Sequence, residues 1–364
     1  MYREIKAEAS LGDRPVLALD IGGGTQDILL YTPGVPVEGC VQLVLPSPTV
    51  VAARRVRAAT ARRRAVWLKG TIMGGGAVVK ALQEHLQEGF PVYAEPRAAR
   101  TIRDNLEEVR QMGIRVGEEP TGEAVVVETR DLDLPLLGRT LAPYGVELPP
   151  LILVAAQDHG EAPAGVSNRA FRFRHWRNFV AAGGQIRELL YRRPPHYFTR
   201  LLAIQDSALP GHEILVTDTG AAALWGALAD PRVKQWAGEG ITILNLGNQH
   251  TVAFLLEGDR VWGLFEHHTA LIDPAKLAEM VDLLQQGELT DEQVYGDGGH
   301  GCVIDSGYRP RAAYRRVAVI GPRRGMAKGL GYFEAAPYGN MMLAGCFGLC
   351  LALRGKEGNG ALYS

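Results

Sequence analysis

Lysine is scarce in this sequence, occurring only at positions 6, 69, 80, 234, 276, 328 and 356, so arginine carries most of the positive charge. The formal net charge is −1, and no global field draws such a chain to nucleic acid or to an anionic membrane surface. No uninterrupted apolar run reaches the roughly 18 residues that a membrane-spanning helix needs. The stretch MYREIKAEASLGDRP is polar and lacks the apolar core of a signal peptide. Cysteine is sparse too: Cys40, Cys302, Cys346 and Cys350 are scattered and form no disulfide framework. These absences lead to the expectation of a soluble, cytoplasmic protein without a membrane or nucleic-acid partner.

Apolar residues at 46% and charged residues at 22% give the balance of a globular chain. A length of 364 residues suffices for two domains of ordinary size. The 44 glycines cluster in short runs, which mark tight turns and places where backbone approaches a ligand.

Val16-Leu-Ala-Leu-Asp-Ile21 reads as a β-strand, Gly22-Gly23-Gly24-Thr25 as a turn, and residues 26–31 as a second strand. Strand, glycine turn, strand is a hairpin. A dinucleotide-binding fold would place a helix after the glycines instead. Residues 50–64 read as a helix with Arg54, Arg55, Arg57, Arg62, Arg63 and Arg64 on a solvated face. Trp67 is the one nearby aromatic, too little for an RNA surface. Strands are expected at 65–68, 91–94, 124–129 and 151–156, with helices from Gly74-Gly75-Gly76 to about 86 and over 96–112. The Arg- and aromatic-rich stretch 161–210 is expected to hold a helix near 179–191.

From 213 the pattern restarts. A strand at 213–217 ends at Asp218, and a small-residue helix follows over 220–229. Strands are expected at 241–246, 251–256 and 260–265, a helix over about 274–286, a strand at 317–320, and a last small-residue helix around 340–353. Asp20 and Asn245 hold equivalent places in two strand–turn–strand units, 225 residues apart. Such a repeat points to a duplicated α/β domain. The expected fold class is therefore α/β, with two RNase H-like lobes: residues 1–212, with insertions, and residues 213–364.

The strongest chemical signal is Leu19-Asp20-Ile-Gly22-Gly23-Gly24-Thr25-Gln-Asp27. Three glycines let backbone N–H groups approach phosphate oxygens. The Thr25 hydroxyl adds a donor, and Asp20 at the strand end suits Mg²⁺ held through its waters. The alternative is an ordinary glycine-rich hairpin. This motif resembles the phosphate-binding hairpins of the actin-like ATPase superfamily, which includes actin, heat-shock chaperones and sugar kinases. The resemblance implies a nucleotide cleft between the lobes, with ATP and Mg²⁺ as cofactors.

The superfamily grips its nucleotide with a second hairpin, and Gly247-Asn248-Gln249-His250-Thr251 is similar to it. Asn245 replaces the usual Asp there, and only Gly247 remains of the glycines. Ile214 to Gly226 resembles the carbohydrate-kinase segment in which a strand-end Asp is the general base, which would make Asp218 catalytic. The alternative is that Asp218 caps the helix. Gly321, Arg323, Arg324 and Gly325 fall where the superfamily places adenosine, with an arginine able to stack on the purine.

Five histidines, His159, His250, His267, His268 and His300, lie in polar turns. Imidazole beside carboxylate suits Zn²⁺ or Fe, so His159, His267, His268 and His300 form a candidate second metal site. Hydrogen bonding to phosphate or substrate is the alternative. Across nearly the whole chain, phrases such as Thr71-Ile-Met-Gly-Gly-Gly76, Gln157-Asp-His-Gly-Glu-Ala162 and Gly299-His-Gly301 resemble a prokaryotic family labelled pyruvate formate-lyase activating enzyme. A radical activase needs a Cys-x3-Cys-x2-Cys loop for its iron–sulfur cluster. Cys346 and Cys350 are instead i and i+4 in an apolar helix, where they read as core.

Two functions remain. One is an ATP-dependent phosphotransferase or group-transfer enzyme on a small anionic or hydroxylated substrate, with Arg169, Arg172, Arg174, His175 and Arg177 recognising it. The other is a regulatory ATPase of the chaperone or reactivase kind, acting on a protein partner; a homodimer stays open. A scaffold with a dead nucleotide site is kept open by Asn245.

Overall fold

The computed structural model describes residues 11–163 and 165–357; most of the polar N-terminal stretch lies outside them. Strands β1 (Val16–Ile21), β2 (Thr25–Tyr31) and β3 (Val41–Pro46) form an antiparallel meander. Strand β1 also pairs in parallel with β8 (Leu151–Ala156), which pairs in parallel with β9 (Glu213–Thr217). The sheet order is thus β3-β2-β1-β8-β9. Every residue of β8 is buried, as expected for a strand covered on both faces.

The second half repeats this plan. Strands β10 (Ile241–Leu246), β11 (His250–Glu257) and β12 (Arg260–His268) are an antiparallel meander. Strand β10 pairs in parallel with β14 (Val317–Ile320), and β14 with β15 (Phe333–Glu334). Strand β13 (Gly301–Ile304) adds to the outer edge of β12. The order β12-β11-β10-β14-β15 is that of the first sheet. Two sheets with one RNase H-like order are the pair of related lobes that the repeated strand–turn–strand units lead one to expect. Strand Glu213–Thr217, expected to open the C-terminal half at 213, is instead the fifth strand of the first sheet, because its apolar residues pair with β8. The new strand set begins at Ile241.

A third sheet lies between β3 and β8 in sequence. Strands β4 (Ala65–Gly70), β5 (Val92–Ala94), β6 (Arg115–Val116) and β7 (Ala124–Thr129) are all parallel, in the order β6-β5-β4-β7. Helices Pro48–Ala61 and Gly76–Gln87 bury their apolar stripes in this insertion. Arg54, Arg55 and Arg57 are exposed, as the sequence pattern requires.

Two expected helices differ. Instead of one helix over 96–112 there are two short ones, Pro96–Ala99 and Leu106–Gln111, the second capped by the Asn105 side chain. The helix expected near 179–191 is Asn168–Ala181. It cannot continue through Gly183 and Gly184, which take φ of +109° and +63°.

The two halves meet where helix Thr219–Ala227 crosses helix Ala344–Glu357. The small residues at the crossing allow backbone contact. A Cβ on Gly226 would overlap the main-chain oxygen of Ala344, and one on Gly348 that of Ala222. Cys346 and Cys350 are buried in the same core, as expected, and all four cysteines are free thiols.

Gly226→Ala is therefore expected to cost about 3 kcal/mol in denaturant unfolding, because main-chain atoms cannot rotate away from an added methyl. Gly296→Ala, at a helix end with open space around it, should stay within about 0.5 kcal/mol of the parent.

Candidate functional site

A cleft of about 540 Å³ opens at the ends of β1, β8, β10 and β14. Its walls include Gly22, Gly23 and Thr25 from the first hairpin and Gly247, Asn248, Gln249 and His250 from the second. Both turns close in the same way: Gly22 N–H donates to Thr25 O at 2.9 Å, and Gly247 N–H to His250 O at 3.0 Å. The turns thus face one cleft from equivalent places in the two sheets. Their tips touch, since a Cβ on Gly23 would lie 2.6 Å from Gln249 Nε2, and one on Gly24 3.0 Å from Asn248 Nδ2.

At the base of the cleft sits Asp20. Its Oδ1 is buried and has no partner within the protein. A Cβ on Gly345 would overlap its carboxylate, so the first turn of helix Ala344–Glu357 approaches as closely as glycine permits. Asp27 stands directly opposite Asp20 in the β1–β2 register, and its Oδ1 is likewise buried without a partner. Burial, then the charges of Asp27 and Asp218, push Asp20 well above the usual carboxylate range. Burial raises Asp27 to about 7, against a partial offset from the Thr25 hydroxyl.

Unpaired buried carboxylates are costly unless a cation or a proton joins them. Asp20 and Asp27 therefore fit a hydrated divalent ion such as Mg²⁺, which is bound through few carboxylates and retained waters. Asp27 ends the glycine-turn motif without being marked by it as a site residue; the signal for it is the tight turn that pairs residues 20 and 27.

Asp218 borders the cleft, but its carboxylate is engaged. It accepts from Gly220 N–H at 2.8 Å, so it does cap its helix. It also accepts from Arg172 Nη1 and Nη2 at 2.8 and 3.2 Å. The same guanidinium donates through Nε to both oxygens of Glu266 at 2.9 Å. Gln157 and Trp176 complete the Glu266 shell at 2.9 and 3.2 Å. Burial would raise Glu266, but Arg172 and its neighbours hold it below the usual range. This network ties the first sheet's loop after β8 to β12 of the second.

The arginines expected to receive an anionic substrate are thereby corrected. Arg172 is spent on Asp218 and Glu266. Arg169 donates to Gly299 O at 2.6 Å and lies over the Tyr295 ring. Arg177 pairs with Asp291, Arg174 lies over Phe171, and His175 is packed among Tyr191, Tyr197 and Phe198. Arg100 and Arg103, from the inserted subdomain, do border the cleft.

Other expected residues divide. Gly321 borders the cleft with Pro322, whereas Arg323, Arg324 and Gly325 do not. Arg324 pairs with Glu334 at 3.2 Å, and Arg323 engages the turn through its main chain, its N–H donating to Leu246 O at 2.9 Å. Thr251 turns to the opposite face of β11, where its buried hydroxyl meets that of Thr269 at 3.1 Å. His267 has both ring nitrogens engaged, one 3.0 Å from Asp297 Oδ2 and the other 3.1 Å from His268 O. It is not free to bind a metal. His159, His268 and His300 converge as expected, but with His250 as their neighbour.

Residues 73–326 match the family described as "Putative pyruvate format-lyase activating enzyme (DUF1786)". No protein of curated function matches the chain. Among solved structures, the chain is similar to ethanolamine utilization protein EutJ from Carboxydothermus hydrogenoformans, at 10% identity and a TM-score of 0.34, covering 94% of this chain and 91% of that one. It is also similar to a chain of the PilM-PilN type IV pilus biogenesis complex, at 14% identity and a TM-score of 0.38, covering 94% and 99%. A third is apo psk41 parM protein, at 11% and 0.33, covering 95% and 99%. Among the described residues no helix is long and apolar enough to cross a membrane, and no cysteine belongs to a group arranged to hold a metal.

The Asp27 proton gives a pH signature. The unfolded carboxyl titrates near 3.8 and the folded one at about 7, so the folded chain retains a proton that the unfolded chain releases. Stability thus falls as pH rises across this window. Asp27→Asn removes that loss. Without divalent cations, its melting temperature should exceed the parent's by a few degrees at pH 8, with a smaller gap at pH 5. A gap that does not change with pH would rule out the protonated Asp27.

Proposed function

The chain belongs to the family described as "Putative pyruvate format-lyase activating enzyme (DUF1786)", and from that premise we propose that it is an ATP-using, Mg²⁺-dependent phosphotransferase or group-transfer enzyme. The observation that carries this reading is the pair of equivalent hairpin turns facing one cleft with Asp20 unpartnered at its base. In this reading, main-chain N–H groups at Gly23 and Asn248 receive the phosphates. Thr25 and His250 flank them. Asp20 and Asp27 hold the hydrated Mg²⁺, which supplies charge neutralisation and orientation of the phosphates. The purine lies toward Gly321 and Pro322.

Asp218 is the base for an acceptor hydroxyl. A carboxylate has about four lone-pair sites, so the bonds from Arg172 and Gly220 fix its direction without exhausting its capacity. Of the arginines expected to recognise substrate, only the engaged Arg172 lines the cleft; of its other arginines, Arg100 pairs with Glu161 at 2.8 Å, which leaves Arg103 as the cation that meets a small anionic or hydroxylated acceptor. The family label implies radical chemistry, but this chain's cysteines offer no cluster-binding loop.

A second reading, a regulatory ATPase acting on a protein partner, draws on the contact between hairpin tips. A polyphosphate entering there has to move Gln249 and Asn248, and the angle between the lobes would follow. ADP release that depends on a small acceptor favours the first reading; ATP hydrolysis stimulated only by a protein favours the second.

Binding is tested by melting the protein with ATP or ADP, with and without Mg²⁺, alongside Asp20→Asn. Saturation at about 100 times Kd stabilises by about 2.7 kcal/mol, a shift of several degrees. Mg²⁺-dependent stabilisation in the parent, lost in Asp20→Asn, is expected. An absent shift, or an equal one in the variant, would overturn the nucleotide site.

A further inference from the structure

Beside the hairpins lies a second cluster whose chemistry differs from that of the carboxylates. His159 follows β8 in the first half of the chain. His250 opens β11, and His300 immediately precedes β13. One ring nitrogen from each lies within 4.8 Å of the other two. Among the described residues, this is the only group of three or more His, Cys, Asp or Glu side chains so arranged.

The imidazoles do not satisfy one another. His300 is 1% exposed, yet neither of its ring nitrogens has a hydrogen-bond partner in the protein. His250 Nε2 is also buried and unpartnered. A buried polar atom left in this state costs about 1–3 kcal/mol, so packing alone does not account for the cluster. Imidazole nitrogens left without hydrogen bonds in this way are available to ligate a metal.

We propose that His159, His250 and His300 bind one divalent transition-metal ion of the Zn²⁺ or Fe²⁺ class between the two lobes. Three imidazoles without thiolate or carboxylate select such ions over Mg²⁺ or Ca²⁺. His159 and His250 both border the cleft. A three-histidine ion there keeps a further coordination position on the cleft side, as catalytic rather than structural zinc does. His268 lies tilted against His250 and His300, at ring-centroid distances of 5.0 and 4.7 Å. The ligand for the remaining position is an oxygen of a substrate or of water. The site does not rest on the nucleotide reading, because none of its three ligands depends on ATP.

The test uses the untagged full-length chain, purified without chelator and analysed by elemental mass spectrometry, then stripped with dipicolinate and titrated with Co²⁺ in the absence of nucleotide. One equivalent of zinc or iron on isolation, or one equivalent of tightly bound Co²⁺ with the intense visible bands of a four-coordinate site, is expected. His159→Asn and His250→Asn should each weaken Co²⁺ binding by more than about 100-fold, while His267→Gln, outside the cluster, should retain it. His159 is only half-buried and lies in a loop, so its variant tests the site even if a His300 variant fails to fold. Folded parent protein that isolates without metal and takes up no Co²⁺ would overturn the proposal, as would unchanged binding in His159→Asn. Neither result bears on the Mg²⁺–ATP melting experiment.

Discussion

The approach of two helices through glycine is the constraint on which the rest of the molecule depends. Helices Thr219–Ala227 and Ala344–Glu357 follow equivalent strands in the two sheets, and they touch backbone to backbone at Gly226 and Gly348. Larger residues would hold helices at the usual 8–10 Å. The close crossing draws the ends of β1 and β10 together, so that turns 225 residues apart in sequence share one cleft. It also brings Gly345 against Asp20 and covers one side of that carboxylate. The electrostatics of the site are thus a consequence of the packing beneath it.

A second device spans the halves. Arg172 is buried with Asp218 and Glu266, one acid from each half. Such a triad is weak evidence of net stability, because desolvation offsets much of the attraction. Its geometry is specific, however: the fork holds Asp218 toward the cleft and Glu266 under the histidines. Loss of Arg172 would leave two buried acids without a counter-charge, and so this side chain, together with Gly220 N–H, sets the direction of Asp218.

The parts of this architecture legible in the sequence were those with a local period or a repeated turn. Alternating strands, the two hairpins and the small-residue helices follow from patterns a few residues long, and the repeat of strand, turn, strand announced two related sheets. What was not legible depends on partners distant in sequence. Strand Glu213–Thr217 looks like the start of a new set until its pairing with β8 is known. Arg169 to Arg177 looks like an anion site until Glu266, Asp291 and Gly299 are seen to occupy it. His267 is paired in register with Thr251 and His250 with His268, so the two histidines face opposite sides of the sheet: Asp297 takes the first, and the second turns to the cleft.

The two hairpins have kept one backbone and diverged in chemistry. Asp20 corresponds to Asn245, Thr25 to His250, and Asp27 to Val252, each pair 225 residues apart. The first turn thus concentrates two carboxylates on the cleft, a set suited to a hard, hydrated cation. The second carries neither and has an imidazole beside two others, a set suited to a softer ion. Two acidic hairpins facing each other would place up to four carboxylates in one low-dielectric space, where like charges raise one another's pKa. Neutralising one copy removes that repulsion and leaves the duplicated turn free for a different ligand. The departure of the second hairpin from the acidic pattern is therefore consistent with an electrostatic requirement of placing both turns in a single cleft, rather than with decay of the site.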